Sequence, residues 1–281
     1  MKLLIIGGQG MAGHMMVQYF KKQGRHSVFY TSRDKKDPNG LVLDVGDIHS
    51  VDLLVKAVRP DIMINAVGIL NQYAEKNVIQ AYHVNGFLPH RLASLADQIN
   101  ARLIHISTDC VFKGDRSGGY TEEDVPDGET VYAITKSLGE VYSPGHLTIR
   151  TSMIGPEVRK KGIGLMHWFL HQRGVVQGYT KVRWNGVTTL MLAKRVDEYM
   201  ASKVSGLIHL AHPKPISKYE MLLLLKERWD VKETIIVPSS TFAQERTLAV
   251  TRKDVDPFLP SYPDMLKELK EWMQPAGNRR Y

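Results

Sequence analysis

Tyr132 and Lys136 stand four residues apart, the spacing that puts two side chains on one face of a helix. A phenol titrates near ~10, too high for ready proton exchange at neutral pH. An ammonium beside it stabilises the phenolate and is expected to bring that value down. Thr108 precedes Tyr132 by 24 residues, in Ser107-Thr108-Asp109, just past the apolar run Arg102–Ile106. Its hydroxyl suits a carbonyl oxygen on which negative charge develops. Phenol, ammonium and hydroxyl together describe the protonation of a carbonyl during its reduction. Tyr199 and Lys203 repeat the spacing on an amphipathic pattern without such partners, and the expectation there is a structural helix.

A reduction needs a hydride donor, and the N-terminus supplies a place for one. Gly7-Gly-Gln-Gly10-Met11-Ala12-Gly13 follows a short apolar run and opens a helical pattern. That is the context of a dinucleotide fingerprint, in which glycines admit pyrophosphate to a helix N-terminus. Gly7, Gly10, Met11, Ala12 and Gly13 are therefore cofactor candidates. The adenosine ribose is read at the end of the second strand, where Thr31-Ser32-Arg33-Asp34 falls. Ser32 and Arg33 favour a 2′-phosphate and hence NADP, while Asp34 leaves NAD open. Asp44-Val45 is placed to meet an adenine amino group. Asn65-Ala66-Val67-Gly68 ends the fourth strand with residues small enough to let a cofactor lie along the sheet edge.

These residues need a scaffold that brings strand ends together. Strand patterns at Lys2–Gly7, Ser27–Thr31, Leu41–Leu43, Ile62–Asn65, Leu103–Ile106 and Leu147–Arg150 alternate with helical ones such as Met11–Lys22 and Val51–Val58. The alternation predicts an α/β fold with a doubly wound parallel sheet of the Rossmann type. Residues 1–153 are expected to form the NADP-binding domain. Residues 154–281 should form mainly a smaller substrate-binding α/β domain, with segments around 185–210 returning to the sheet. Helices are expected over Gly162–Leu170, Thr188–Ala201 and Ser261–Met273, and a strand at Gly206–Leu210. Ser217-x-x-Glu220 reads as a capping box before Met221–Trp229.

The 281 residues, 43% hydrophobic and 23% charged, are those of an ordinary globular protein. A net charge of +8 favours anionic ligands. The basic clusters Arg33–Lys36, Arg159–Lys161 and Arg279–Arg280 are short and carry no row of aromatics, which favours a phosphorylated small molecule over nucleic acid. The single cysteine, Cys110, allows no internal disulfide and suits a reducing, cytoplasmic setting. Met1–Ile6 reads as a buried strand and not a signal peptide, and no apolar run nears the ~20 residues of a membrane span. No metal site is expected, since none of the eleven histidines joins a ligand cluster; His209 and His212 are read as packing. Cys110 has no neighbouring base and is read as a small inert side chain. The sequence is compatible with a homodimer.

The order Gly7–Gly13, Asn65–Gly68, Ser107-Thr-Asp-Cys-Val-Phe112, Tyr132–Lys136 and Leu147–Ser152 resembles the extended short-chain dehydrogenases, and within them the dTDP-4-dehydrorhamnose reductase group. The resemblance extends over Asn185–Leu190 and Gly206–Leu210. It implies Thr108, Tyr132 and Lys136 as the catalytic triad, NADPH as cofactor, and a nucleotide-linked 4-keto-6-deoxy sugar as substrate, for polysaccharide synthesis. It also implies that Asp109, Cys110 and Met153 touch the sugar. Cys110 stands where that group commonly has tyrosine, and Met153 where it has tryptophan. These departures keep a UDP-linked N-acetylated sugar in view. An epimerase or 4,6-dehydratase, and a regulatory subunit like that of methionine adenosyltransferase, are the alternatives. No acidic cluster matches the magnesium site of some relatives.

Overall fold

The computed structural model describes residues 1–158 and 162–274, so the basic clusters at 159–161 and 279–280 lie outside the described residues. The chain runs β1 (Lys2–Ile6), α1 (Met11–Gln23), β2 (Ser27–Ser32), β3 (Leu41–Val42), α2 (Ile48–Val58) and β4 (Ile62–Asn65). After β4 come α3 (Asn71–Lys76), α4 (Val78–Ala81), a π-helical turn Tyr82–Phe87 and α5 (Leu88–Gln98). β5 (Arg102–Ile106) leads into a 3₁₀ turn at Asp109–Val111, then α6 (Val131–Leu138), β6 (Leu147–Thr151) and β7 (Met153–Ile154). The remainder holds α7 (Leu165–Leu170), β8 (Gly174–Trp184), β9 (Val187–Thr188), α8 (Thr189–Ala201), β10 (Gly206–Leu210), β11 (Ile216–Ser217), α9 (Lys218–Trp229), β12 (Thr234–Glu245) and α10 (Tyr262–Met273).

Seven strands form one parallel sheet in the order β10-β6-β5-β4-β1-β2-β3. The order turns back between β1 and β4, the switch point at which open α/β sheets leave a ligand crevice at the strand carboxyl ends. Leu3 to Ile6, Ile62 to Ile64 and Leu103 to Ile106 are buried because helices cover both faces. Met15, Met16, Phe20, Leu190 and Val196 fill one layer, where α1 packs against α8. Val51, Val55, Leu88, Leu92 and Leu95 fill the other. β10 pairs in register with β6, so the chain returns to the sheet after leaving it. Among the described residues no helix is long and apolar enough to cross a membrane.

A second sheet, β11-β8-β12, holds β12 parallel and β11 antiparallel to β8. Its two long strands escape the sequence reading. β8 carries two glycines, and β12 carries Pro238 and a polar Ser-Ser-Thr stretch, mostly exposed; neither shows a sustained period of two. The helix expected over Gly162–Leu170 is confined to Leu165–Leu170. Gly164 is extended, and the Glu157 carboxylate accepts from its N–H at 2.6 Å, so the helix starts only beyond it. Lys203 also departs from expectation: α8 ends at Ala201, so Tyr199 and Lys203 do not share a helical face. Ser217 and Glu220 do form the capping box, each side chain accepting from the other's backbone N–H.

Candidate active site

The glycine turn joins β1 to α1 beneath the ends of β2 and β4. Gly7 has φ +86°, a left-handed conformation that favours glycine. A Cβ on Gly13 would lie 2.1 Å from the Gly7 carbonyl oxygen, so only glycine lets the helix start that close to the strand. Gly10 caps α1 without a side chain, which leaves the first N–H groups of the helix free for an anion. Ala12 is buried, and the Met11 side chain reaches the backbone at Gly164. Ala66 and Val67 lie against Gly7, and Gly68 follows them along the same edge. Gly7, Gly10, Met11, Ala12, Gly13, Ala66, Val67 and Gly68 thus share one cradle.

The end of β2 is more open. Ser32 is buried and its hydroxyl accepts from the Asp34 N–H at 3.0 Å. Arg33 is exposed, whereas the Asp34 carboxylate accepts from the Lys36 N–H within its own loop. Asp37, which the sequence reading passes over, accepts from Tyr30 and Gln9 and ties this loop to the glycine turn. Asp44 is exposed, accepts from the Gly46 N–H, and lines a cleft of about 730 Å³ with Lys76, Asn77 and Gln80; Val45 beside it is half-buried.

Thr108, Tyr132 and Lys136 come together at the carboxyl end of β5. Thr130 caps α6 by accepting from the Ala133 N–H, and the Val131 N–H is held by the Glu75 carboxylate. Tyr132 and Lys136 are both buried on this helix. Ser107 is fixed from below: its hydroxyl donates to Glu140 at 2.8 Å, and Arg150 donates to both oxygens of that carboxylate at 2.7 Å. The Thr108 hydroxyl accepts from the Cys110 N–H and faces the Tyr132 phenol.

The electrostatics correct one expectation. Lys136 does not lower the Tyr132 pKa in this structure; burial raises it, with Cys110 and Asp109 adding to the rise and Thr108 opposing it. The reason is geometric. Lys136 Nζ lies 2.8 Å from the Ile106 carbonyl and 3.2 Å from His105 Nε2. Burial lowers Lys136 to about 8. The phenol therefore stays protonated at neutral pH, as a general acid must.

The resemblance implies Asp109, Cys110 and Met153 as the sugar-facing positions. Asp109 and Cys110 are half-buried beside Thr108, while Met153 opens β7, partly buried against the larger core. Burial raises the Asp109 carboxyl, and it pushes the Cys110 thiol up to about 12, so no thiolate forms. Two cations missed in the sequence converge here. Arg246 reaches Cys110 Sγ at 3.5 Å, and Lys218, at the start of α9, stands near Asp109 and 5.1 Å from the Trp184 ring centroid. Burial lowers Lys218 to about 8. Trp184 donates to the Ser152 hydroxyl at 2.8 Å. No local pattern marks Lys218 or Arg246, because each is brought in by a distant element.

Residues 1–252 match the family model described as RmlD substrate binding domain. The chain belongs to this family. It is 31% identical over 156 residues to a dTDP-4-dehydrorhamnose reductase of Aggregatibacter actinomycetemcomitans, covering 54% of this chain and 51% of that one. It is 30% identical over 140 residues to the spore coat polysaccharide biosynthesis protein SpsK of Bacillus subtilis, covering 50% and 47%. The chain thus spans about half the length of the curated relatives it matches. A crystal structure of dTDP-4-dehydrorhamnose reductase from Bacillus anthracis in complex with NADP superposes with a TM-score of 0.82 at 20% identity, covering 97% of this chain and 99% of that one. That likeness shows the fold of this RmlD-type chain.

Proposed function

We propose that this chain is an NADPH-dependent reductase of the C4 keto group of a nucleotide-activated 4-keto-6-deoxy sugar. The observation that carries the reading is the convergence of Thr108, Tyr132 and Lys136 at the strand end, in a fold whose glycine turn opens α1 with free N–H groups. In this reading Gly7, Gly10, Met11, Ala12 and Gly13 hold the pyrophosphate, and Ser32 and Arg33 the 2′-phosphate. Asp44 and Val45 face the adenine, and Ala66, Val67 and Gly68 border the nicotinamide half. Residues 1–153 carry the cofactor, and residues 154–281 mainly the substrate.

A dihydronicotinamide held there would supply the hydride that the sugar C4 takes up. Tyr132 gives its phenolic proton to the oxygen at C4, and Thr108 holds that oxygen by a hydrogen bond that strengthens as charge grows. Lys136 would hold the nicotinamide ribose and, in its charged form, supply the proton that restores the phenol. Lys218 and Arg246 suit an anionic nucleotide-sugar, with Asp109, Cys110 and Met153 along the hexose. Support for a dTDP donor and a role in polysaccharide synthesis comes from the relatives, a dTDP-4-dehydrorhamnose reductase and a spore coat polysaccharide biosynthesis protein. The dehydratase alternative needs an acid–base group after Asp109, and the Cys110 thiol is too weak an acid for it.

Tyr132→Phe should lower turnover with NADPH and a 4-keto sugar nucleotide by at least ~10²-fold, with NADPH affinity nearly unchanged by fluorescence titration. A Phe variant with wild-type turnover would sink the assignment. The substrate is identified by a panel of dTDP- and UDP-linked 4-keto sugars with NMR of the product.

A further inference from the structure

His105 lies entirely buried on β5, between Asn65 of β4, its register partner, and Lys136 of α6. Asn65 Nδ2 is 3.1 Å from His105 Nδ1, and His105 Nε2 is 3.2 Å from Lys136 Nζ. The hydrogen-bond directions along this line are determined by its far end. The Val67 backbone N–H is a donor only, and it donates to Asn65 Oδ1 at 3.2 Å. Asn65 therefore turns its NH₂ toward His105, and Nδ1 must accept. Burial keeps the imidazole neutral, and a neutral ring has one donor and one acceptor. Nε2 then carries the proton and donates to Lys136 Nζ. An ammonium has no lone pair to accept with, so the side chain at this end is a neutral amine that donates onward to the Ile106 carbonyl.

We propose that Asn65 and His105 are positioning residues that couple the charge of Lys136 to the cofactor-facing segment Ala66–Gly68. In the cofactor-free protein above about pH 8 the chain of donors runs from Val67 to Lys136, and the amine at its end is neutral. Protonation of Lys136 reverses it. Nζ takes the Nε2 proton, Nδ1 takes one from solvent, and the ring stays neutral; the net change is one proton gained. Asn65 must then present Oδ1 to Nδ1–H, which releases the Val67 N–H toward the cofactor edge. A ligand oxygen that accepts from Val67 therefore favours charged Lys136, the form that binds ribose hydroxyls and reprotonates the phenolate.

The other charged or titratable groups facing this line are few. Glu140, beyond α6, favours the charged lysine; His90 of α5 acts weakly on His105; Tyr132 shares the helix with Lys136. The lowered Lys136 pKa places the exchange at mildly alkaline pH.

The inference rests on the nicotinamide-cofactor reading, and the test separates the two. Nitrogen-15 NMR of histidine-labelled, cofactor-free protein near pH ~9 should show His105 protonated on Nε2, with the signal assigned by its loss in His105→Gln. A ring protonated on Nδ1 under those conditions overturns the proposal whatever binds. Calorimetric titration with NADPH, in buffers of different ionisation heat, should show uptake of about 0.9 proton per site near pH ~9 and almost none near pH ~6.5. In Asn65→Asp one carboxylate oxygen accepts from Val67 and the other from Nδ1–H, so Lys136 stays charged and the uptake falls several-fold. Binding without proton uptake, or equal uptake in Asn65→Asp, refutes the coupling. Absence of any binding heat refutes the cofactor reading instead, and the ring tautomer still decides the proposal.

Discussion

Lys136 is a charged residue placed where charge is costly, and its effect on stability has a definite sign. Burial lowers its pKa from 10.5 to about 8. Below pH 8 the lysine is charged in both folded and unfolded chains, and the folded state bears the full desolvation cost. Between about 8 and 10.5 the folded state sheds its proton first, the unfolded chain binds more protons, and stability rises with pH. Lys136→Met should therefore be more stable than wild type by about 3 kcal/mol at neutral pH. The gain should fade as pH rises from about 8 to 10.5, and urea melts at a series of pH values measure it. A pH-independent difference would mean that Lys136 is not held in this way. Tyr132, Lys136 and Thr108 were legible because their types and intervals are local. Their present contacts were not, because His105 and Ile106 of β5 meet Lys136 only when α6 packs against that strand.

At the scale of elements, the glycine turn and α1 act as one piece. A Cβ at Gly13 would overlap the Gly7 carbonyl, which cannot give way without moving β1. Gly13→Ala should lose NADPH affinity by at least ~10-fold and melt at a lower temperature, read by fluorescence titration and thermal denaturation. Unchanged affinity would place the cofactor elsewhere. The first six strands and α1, α2, α8 and α10 were visible in the sequence, since each buries a regular apolar stripe or an unbroken apolar run. β8 and β12 were not: they carry glycine, proline and serine, and they are strands because they pair with each other over a long register. The helix expected over Gly162–Leu170 is shorter in the structure, Leu165–Leu170. Its apolar pattern is real, but Gly164 stands extended at the N-cap with its N–H held by Glu157, so helical backbone begins only after it.

For the molecule as a whole, the net charge of +8 and the pair Lys218 and Arg246 both attract an anion. Substrate kcat/KM should fall several-fold between ~0.05 and ~0.5 M NaCl, because the Debye length shrinks over that range. The change should be smaller in Arg246→Met than in wild type, measured by initial rates at each salt concentration. A salt-independent rate would show that these cations do not meet the substrate. The arrangement that makes this test meaningful is tertiary. β12 carries Arg246 back to Cys110 across more than a hundred residues of chain, and the capping box of α9 sets Lys218 opposite Asp109.

By itself, the sequence determined the parallel sheet, the glycine cradle and the trio Thr108, Tyr132 and Lys136, because periodicity, backbone freedom and helical spacing act over a few residues. Only the tertiary structure decided the charge environment. Which cations face Asp109, and which partner claims the Lys136 amine, depend on elements far apart in the chain and on burial, which no local pattern encodes.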